Sequence, residues 1–441
     1  MKDLSLTEAS LVQAVFVTKF FKRLSSIQIY DGILPLVIII HSYSDHETAA
    51  LGLLVIWMAL RLTIRVFRQH REHPTQPPFD AIFLILLLVN TRVIVLREDI
   101  NGASNFLIIA IGFVIGLRQS WRQWRISLGW LALTSVVLAV NFLLVRPAPV
   151  GWTHTLVRDV YVLTMNGHGG INRFATILLL VTLSSVYYSL LSRSTAARAF
   201  GVVAALIGYS MCFSTDSRLA QAAPPTALLV GWLVPRFWKG SIKIILIVAA
   251  SLITAGLILG LWWFYLAPDA SVNLSSDLGR LAAGGCWLSL MFTGSNRFVY
   301  GVGFGPKANQ MCGHLKDGAG FGHAHNTIAQ MGGQLGLLGI IAFLILVIIV
   351  VMGFSRQRML MLSLKNRDFH NIGRIQVAVG LNSLLMMNVL ATTIYRGNQV
   401  TQCLIGFLAS TSLCLAINPR NEPSTPDLPR SPLLRSSQRL G

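Results

Sequence analysis

Charge is what this sequence has least of. Asp, Glu, Lys and Arg make up 12% of its 441 residues, where a soluble domain carries about a quarter. That shortage argues against an ordinary soluble enzyme, and against a soluble helical protein with a buried core. Acidic residues are the scarcer half, 17 against 36 Lys and Arg, leaving a net charge of +19. Cysteine is also sparse: Cys212, Cys286, Cys312, Cys403 and Cys414 form no CxxC pair and no metal-ligand spacing. Internal repeats, a cleavable signal pattern at the N-terminus and any hydrophilic stretch of domain size are lacking as well.

Apolar residues fill the space. They make up 54% of the chain, in repeated runs near the ~20 residues that cross a bilayer. Apolar segments fall at 27–43, 49–67, 80–96, 104–118, 127–145, 171–192, 197–213, 219–236, 243–266, 327–353, 372–393 and 398–416. The expected fold class is an all-α integral membrane protein of about twelve spans. One polytopic domain covers 27–416, preceded by an amphipathic cytoplasmic segment at 1–26 and followed by a Pro-, Ser- and Arg-rich disordered tail at 417–441.

So large a positive charge invites a nucleic-acid reading, and its placement rejects one. Arg68 and Arg71, then Arg118, Arg122 and Arg125, then Arg193 and Arg198, then Arg236, Lys239 and Lys243, then Arg356 to Arg374 occupy alternate loops. That is the positive-inside pattern, and it makes those loops and both termini cytoplasmic. Arg61 and Arg65, near the inner end of the second span, are expected to snorkel.

The polar chemistry concentrates in the long outer loop 267–326, and loops of that size are usually functional. Asn273 to Asp277 offers helix-capping residues for a helix reaching about Phe292, with Arg280 in its first turn. A guanidinium there can fork onto two phosphate oxygens; the plainer reading is a surface pair with Asp277. Gly301-Val-Gly-Phe-Gly305 lacks a preceding strand and a following GK[ST], so it reads as a tight turn admitting close approach of a ligand or helix, not a nucleotide loop. His323-Ala-His325-Asn326 opens the tenth span. The helix dipole favours neutral imidazole there, making His325 a candidate general base, with helix capping by His325 and Asn326 the alternative. A metal site from His314, His323 and His325 is possible, but no Glu completes it nearby, and no cofactor or metal is expected. Cys286 and Cys312 share this loop, and the sequence leaves open whether they are bonded.

Other arginines gather on the same outer side. Arg218 precedes Pro224-Pro225, which are expected to make the eighth span irregular. Arg92 lies near the outer end of the third span and Arg173 starts the sixth. Each could snorkel. Together they place positive charge where the topology rule disfavours it, and an anionic lipid-phosphate head group fits that charge and depth.

Arg280, the Gly301-Val-Gly-Phe-Gly305 turn, Ala324-His325-Asn326, Gly336-Leu-Leu-Gly339 and Ser217-Arg218 together resemble the O-antigen ligase and polymerase superfamily of bacterial membrane glycosyltransferases, over roughly residues 205–345. The resemblance implies a GT-C-like bundle in the bacterial inner (plasma) membrane, with the large periplasmic loop between spans 9 and 10. It implies a metal-independent enzyme that moves a glycan from undecaprenyl diphosphate to an acceptor hydroxyl on a lipid or growing glycan. Arg218 and Arg280 would hold the diphosphate, and His325 would activate or position the acceptor. Arg92, Arg173, His323, Asn326 and Gly303 are candidate substrate-binding residues. Gln334 stands where the family usually has an acidic residue, and the loop carries no appended soluble domain, which disfavours a protein acceptor. The His-Asn segment favours a ligase over a polymerase. A small-anion transporter is the rival from another class; such proteins usually show repeats with paired broken helices, and no second copy of the Pro224-Pro225 or His-Asn features occurs. A purely structural membrane scaffold is a weaker third reading.

Overall fold

The structure is a computed structural model of the chain. It describes residues 29–41, 47–69, 100–117, 119, 121–145, 170–214, 218–237, 277–303, 312, 324, 326–363, 380 and 399–410. Among them every regular element is a helix. A 3-10 turn, Ile29–Gly32, leads into α1 (Ile33–His41). There follow α2 (Glu47–Gln69), α3 (Ile100–Gly116), α4 (Trp121–Val145), α5 (Gly170–Leu191), α6 (Thr195–Ser214) and α7 (Arg218–Phe237). Then come α8 (Asp277–Ser289), a 3-10 turn at Leu290–Phe292, α9 (Ser295–Tyr300), α10 (Thr327–Ser363) and α11 (Gln399–Ala409). These helices cover the expected segments wherever the structure describes them. The segments at 80–96, 243–266 and 372–393 lie outside the described residues, Gly380 excepted, as do 1–26 and 417–441.

Three of the helices, by length and composition, can cross a membrane: Trp121–Val140, Thr195–Phe213 and Thr327–Ile345. On α6 the apolar character extends to the outside, where Val202, Val203, Leu206 and Phe213 are exposed. A helix that is apolar all round fits a bilayer or a large core, and these exposed side chains fit the bilayer.

Helix contacts rely on small residues, as expected where lipid removes the hydrophobic drive to associate. A Cβ on Gly112 would lie 2.3 Å from the Cys403 carbonyl, and one on Gly406 would lie 2.0 Å from that of Ile109, so α3 and α11 touch backbone to backbone. Between α4 and α5, the Ser135 and Ser185 hydroxyls are 3.3 Å apart.

Arg61 does not snorkel. It is 6% exposed and pairs with Asp31, which is 0% exposed. Its Nε donates to Asp31 Oδ1 at 2.9 Å, and Nη2 donates to both Asp31 Oδ2 and Ser127 Oγ. The carboxylate also accepts from Trp57 Nε1 at 3.0 Å and Ser127 Oγ at 2.7 Å. Tyr30, Trp57 and Phe407 present their rings to the guanidinium at 4.8, 5.8 and 5.5 Å. Snorkelling was expected because a lone arginine seeks water; a carboxylate from the turn before α1 removes that need. Arg65's side chain lies outside the described residues.

The expected irregularity at Pro224-Pro225 is also not found: α7 is helical through both. Pro225 has no N–H for the carbonyl four residues back, at Gln221. The Tyr209 hydroxyl of α6 donates to that carbonyl at 3.0 Å, so a neighbouring helix restores the lost bond.

Candidate functional site

The described part of the long loop turns on glycine. Gly301, Gly303 and Gly336 have φ of 68°, 96° and 61°, a region that side chains with a Cβ rarely adopt. At Gly336 the helix α10 is broken. Val302 N donates to the Gly333 carbonyl at 2.8 Å and Gly303 N to the Gln334 carbonyl at 2.9 Å, so the turn after α9 docks on the break. The fit leaves no room. A Cβ on Gly301 would lie 2.3 Å from the Gln334 carbonyl carbon, and one on Gly336 would lie 2.6 Å from Gly301 N. The Gly301-Val-Gly303 turn and Gly336-Leu-Leu-Gly339 are thus two halves of one backbone-to-backbone joint.

Helix α8 packs along the first turns of α10 in the same direction. A Cβ on Gly284 would meet the Ala324 carbonyl oxygen at 3.6 Å and Ala329 Cβ at 3.9 Å. One on Gly333 would lie 2.3 Å from the Trp287 carbonyl oxygen. Rising numbers on one helix match rising numbers on the other. The start of α8, which carries Arg280, and the start of α10, which His325-Asn326 precedes, therefore lie at one end of the pair. Arg280 and Gly284 are four residues apart and share a helix face, and Gly284 is the residue that meets the His-Ala-His segment. Both helix N-termini, with their partial positive charge, face that end.

From there α8 and the turn after it run alongside α10 for about 15 Å to the Gly336 break. Phe292 and Phe298, whose ring centroids are 6.2 Å apart, form an exposed apolar tip beside the turn. A disulfide ties Cys312 to Cys286 of α8, with the two Cα atoms 6.0 Å apart. It answers the question the sequence left open.

Asn326 caps α10, its Oδ1 accepting from Ile328 N at 2.9 Å and Ala329 N at 3.1 Å. Sequence reasoning missed Gln330. This side chain is fully buried, and its Oε1 accepts from Ala324 N at 2.5 Å, fixing the backbone between the two histidines. Its Nε2 is buried without a hydrogen-bond partner among the described residues. One signal was available: Gln330 lies one turn after Asn326, the spacing at which a side chain reaches back over the start of its own helix. Gln334, in the place of the expected acid, is buried, and its carbonyl holds Gly303.

Arg280 lies in the first turn of α8, Arg173 in the first turn of α5, and Arg218 is the first residue of α7; the side chains of these three are outside the described residues. Arg92, His323 and His325 are outside them altogether. The α8–α10 pairing thus puts the start of α8, with the chain position of Arg280, at the same end as Ala324 and Asn326, whereas Gly303 lies at the Gly336 break, about 15 Å further along α10. Among the described residues no group of three His, Cys, Asp or Glu side chains could hold a metal ion.

No family model matches the chain, and no curated protein gives a significant match.

Proposed function

We propose that this chain is a lipid-linked oligosaccharide transferase, of the ligase type, with about twelve spans in a bacterial inner membrane. It transfers a glycan from undecaprenyl diphosphate to a hydroxyl of a lipid or glycan acceptor at the periplasmic face. One observation carries the reading. The parallel packing of α8 on α10 puts the helix start bearing Arg280 at the same end as Ala324 and Asn326, the sequence neighbours of His325. An arginine and two helix N-termini at one end make an anion site, and an imidazole is beside it in sequence.

The chemistry follows from charge. As the glycosidic bond breaks, negative charge grows on the departing diphosphate, and fixed guanidinium groups at Arg280 and Arg218 stabilise it. His325 takes the proton from the attacking hydroxyl or aligns it. The lipid anchor holds the donor at the depth of the site. The Cys286–Cys312 disulfide supports placing the loop in an oxidising compartment.

The test is transfer by purified protein in liposomes, from undecaprenyl-diphosphate glycan to a lipid acceptor. Arg280→Ala and Arg218→Ala are expected to lower turnover by roughly 10²-fold or more. Lys at either position should rescue poorly, because it lacks the bidentate fork. His325→Ala should impair transfer more than donor binding. Normal turnover by Arg280→Ala would end the assignment, and solute movement without any lipid-linked sugar would replace it with a transporter.

A further inference from the structure

A cleft of ≈ 650 Å³ opens between α4, α5 and α6, away from the glycine joint. Arg125, Trp130 and Leu133 line it from α4, Tyr188 from α5, Arg193 from the α5–α6 connection and Phe200 from α6. Its chemistry is graded. Arg125, Gly129 and Leu133 follow one another at four-residue spacing along one face of α4, about 12 Å from first to last. The cationic end is therefore at the start of α4 and the end of α5, and the apolar end is further into the bundle.

The walls are held in place. A Cβ on Gly129 would lie 2.8 Å from the Tyr188 ring, so glycine gives that ring its seat. The Tyr188 and Phe200 rings meet edge to face at 6.2 Å. The rim is fixed by Arg198, whose Nε donates to the Ser192 carbonyl at 2.8 Å, and by Ser194, whose hydroxyl accepts from Ala197 N at 3.2 Å. Arginines placed only to orient the chain in the bilayer need no aromatic-walled cleft beneath them.

We propose that this cleft binds an anionic phospholipid from the leaflet on the arginine-rich face. The phosphate is held by Arg125 and Arg193, and one acyl chain lies along Trp130, Leu133 and Phe200. Charge complementarity selects the head group, and the apolar depth of the cleft selects a lipid over a free anion. The site is independent of the transferase reading.

The experiment is native mass spectrometry and thermal unfolding of the full-length protein in detergent. Phosphatidylglycerol, phosphatidylcholine of the same chains, and inorganic phosphate are added in separate arms. Phosphatidylglycerol alone is expected to stay bound and raise the melting temperature. The Arg125→Ala/Arg193→Ala double variant should weaken that binding about tenfold or more. Ala197→Trp, which fills the cleft and leaves both charges, should weaken it comparably. Equal retention of the two lipids, or equal stabilisation by phosphate, would overturn the proposal. So would unchanged phosphatidylglycerol binding in either variant, provided that variant is monodisperse.

Discussion

Arg61 shows how one residue's surroundings decide its role. In an apolar helix an arginine either reaches for water or finds a countercharge, and here Asp31 supplies the countercharge from 30 residues earlier. Both carboxylate oxygens accept two hydrogen bonds each, from Arg61, Trp57 and Ser127. Removing one partner strands the other as an uncompensated buried charge. Asp31→Ala or Arg61→Ala is therefore expected to cost roughly 3–5 kcal/mol, read as a large drop in melting temperature in detergent. The sequence did not disclose the pair because Asp31 stands at the edge of an apolar run, and nothing local links it to Arg61. Gln330 makes a second case at this scale. Its side-chain oxygen accepts from the buried Ala324 N–H. Gln330→Leu should lose about 1–3 kcal/mol, the cost of an unsatisfied buried group, and should lower transfer along with it by loosening the histidine segment. An unchanged melting temperature would remove Gln330 from that role.

At the scale of elements, the joint between the Gly301–Gly303 turn and the α10 break depends on backbone touching backbone. Two kinds of glycine there behave differently. Gly301 needs a left-handed φ of 68°, and a Cβ on it would strike the backbone at 2.3 Å; a Cβ on Gly332 would meet the ends of the Leu288 and Ile340 side chains, at 3.1 and 3.2 Å. Gly301→Ala should destabilise the protein by more than about 1 kcal/mol, while Gly332→Ala should be tolerated. Equal effects in thermal unfolding would contradict the docking. Much of this element-scale structure was readable in advance. The apolar runs set the helices, Asp277 stands at the start of α8 as its capping segment predicts, and the glycine turn predicts close approach of a ligand or a helix, of which the helix is found. The break at Gly336 was not readable, because a glycine amid apolar residues also sits in unbroken spans. Nor was the bond between Cys286 and Cys312, since 26 residues of sequence separation say nothing about distance in space.

The whole molecule adds an argument about sides. Asp31, Arg61, Ser127 and Phe407 meet at one point; Asp31 lies in the turn before α1, Arg61 in α2, Ser127 near the start of α4 and Phe407 in α11. In the topology that the positive-inside pattern predicts, Asp31, Arg61 and Ser127 all fall in the cytoplasmic halves of their expected spans. In the same predicted topology α10 would run inward from the outer face, and α8, packed parallel to it, would enter the membrane beside it. A phosphatase that is active only outside the cytoplasm should be active when fused after Gly318 and inactive when fused after Pro423. Thiol labelling gives a second readout. Cys286 and Cys312 should resist alkylation in intact cells until a reductant is added, whereas a loop facing the reducing cytoplasm would label at once. Activity of the Pro423 fusion, with silence of the Gly318 fusion, would invert the topology and place Arg280 and His325 on the side where a periplasmic transfer could not occur.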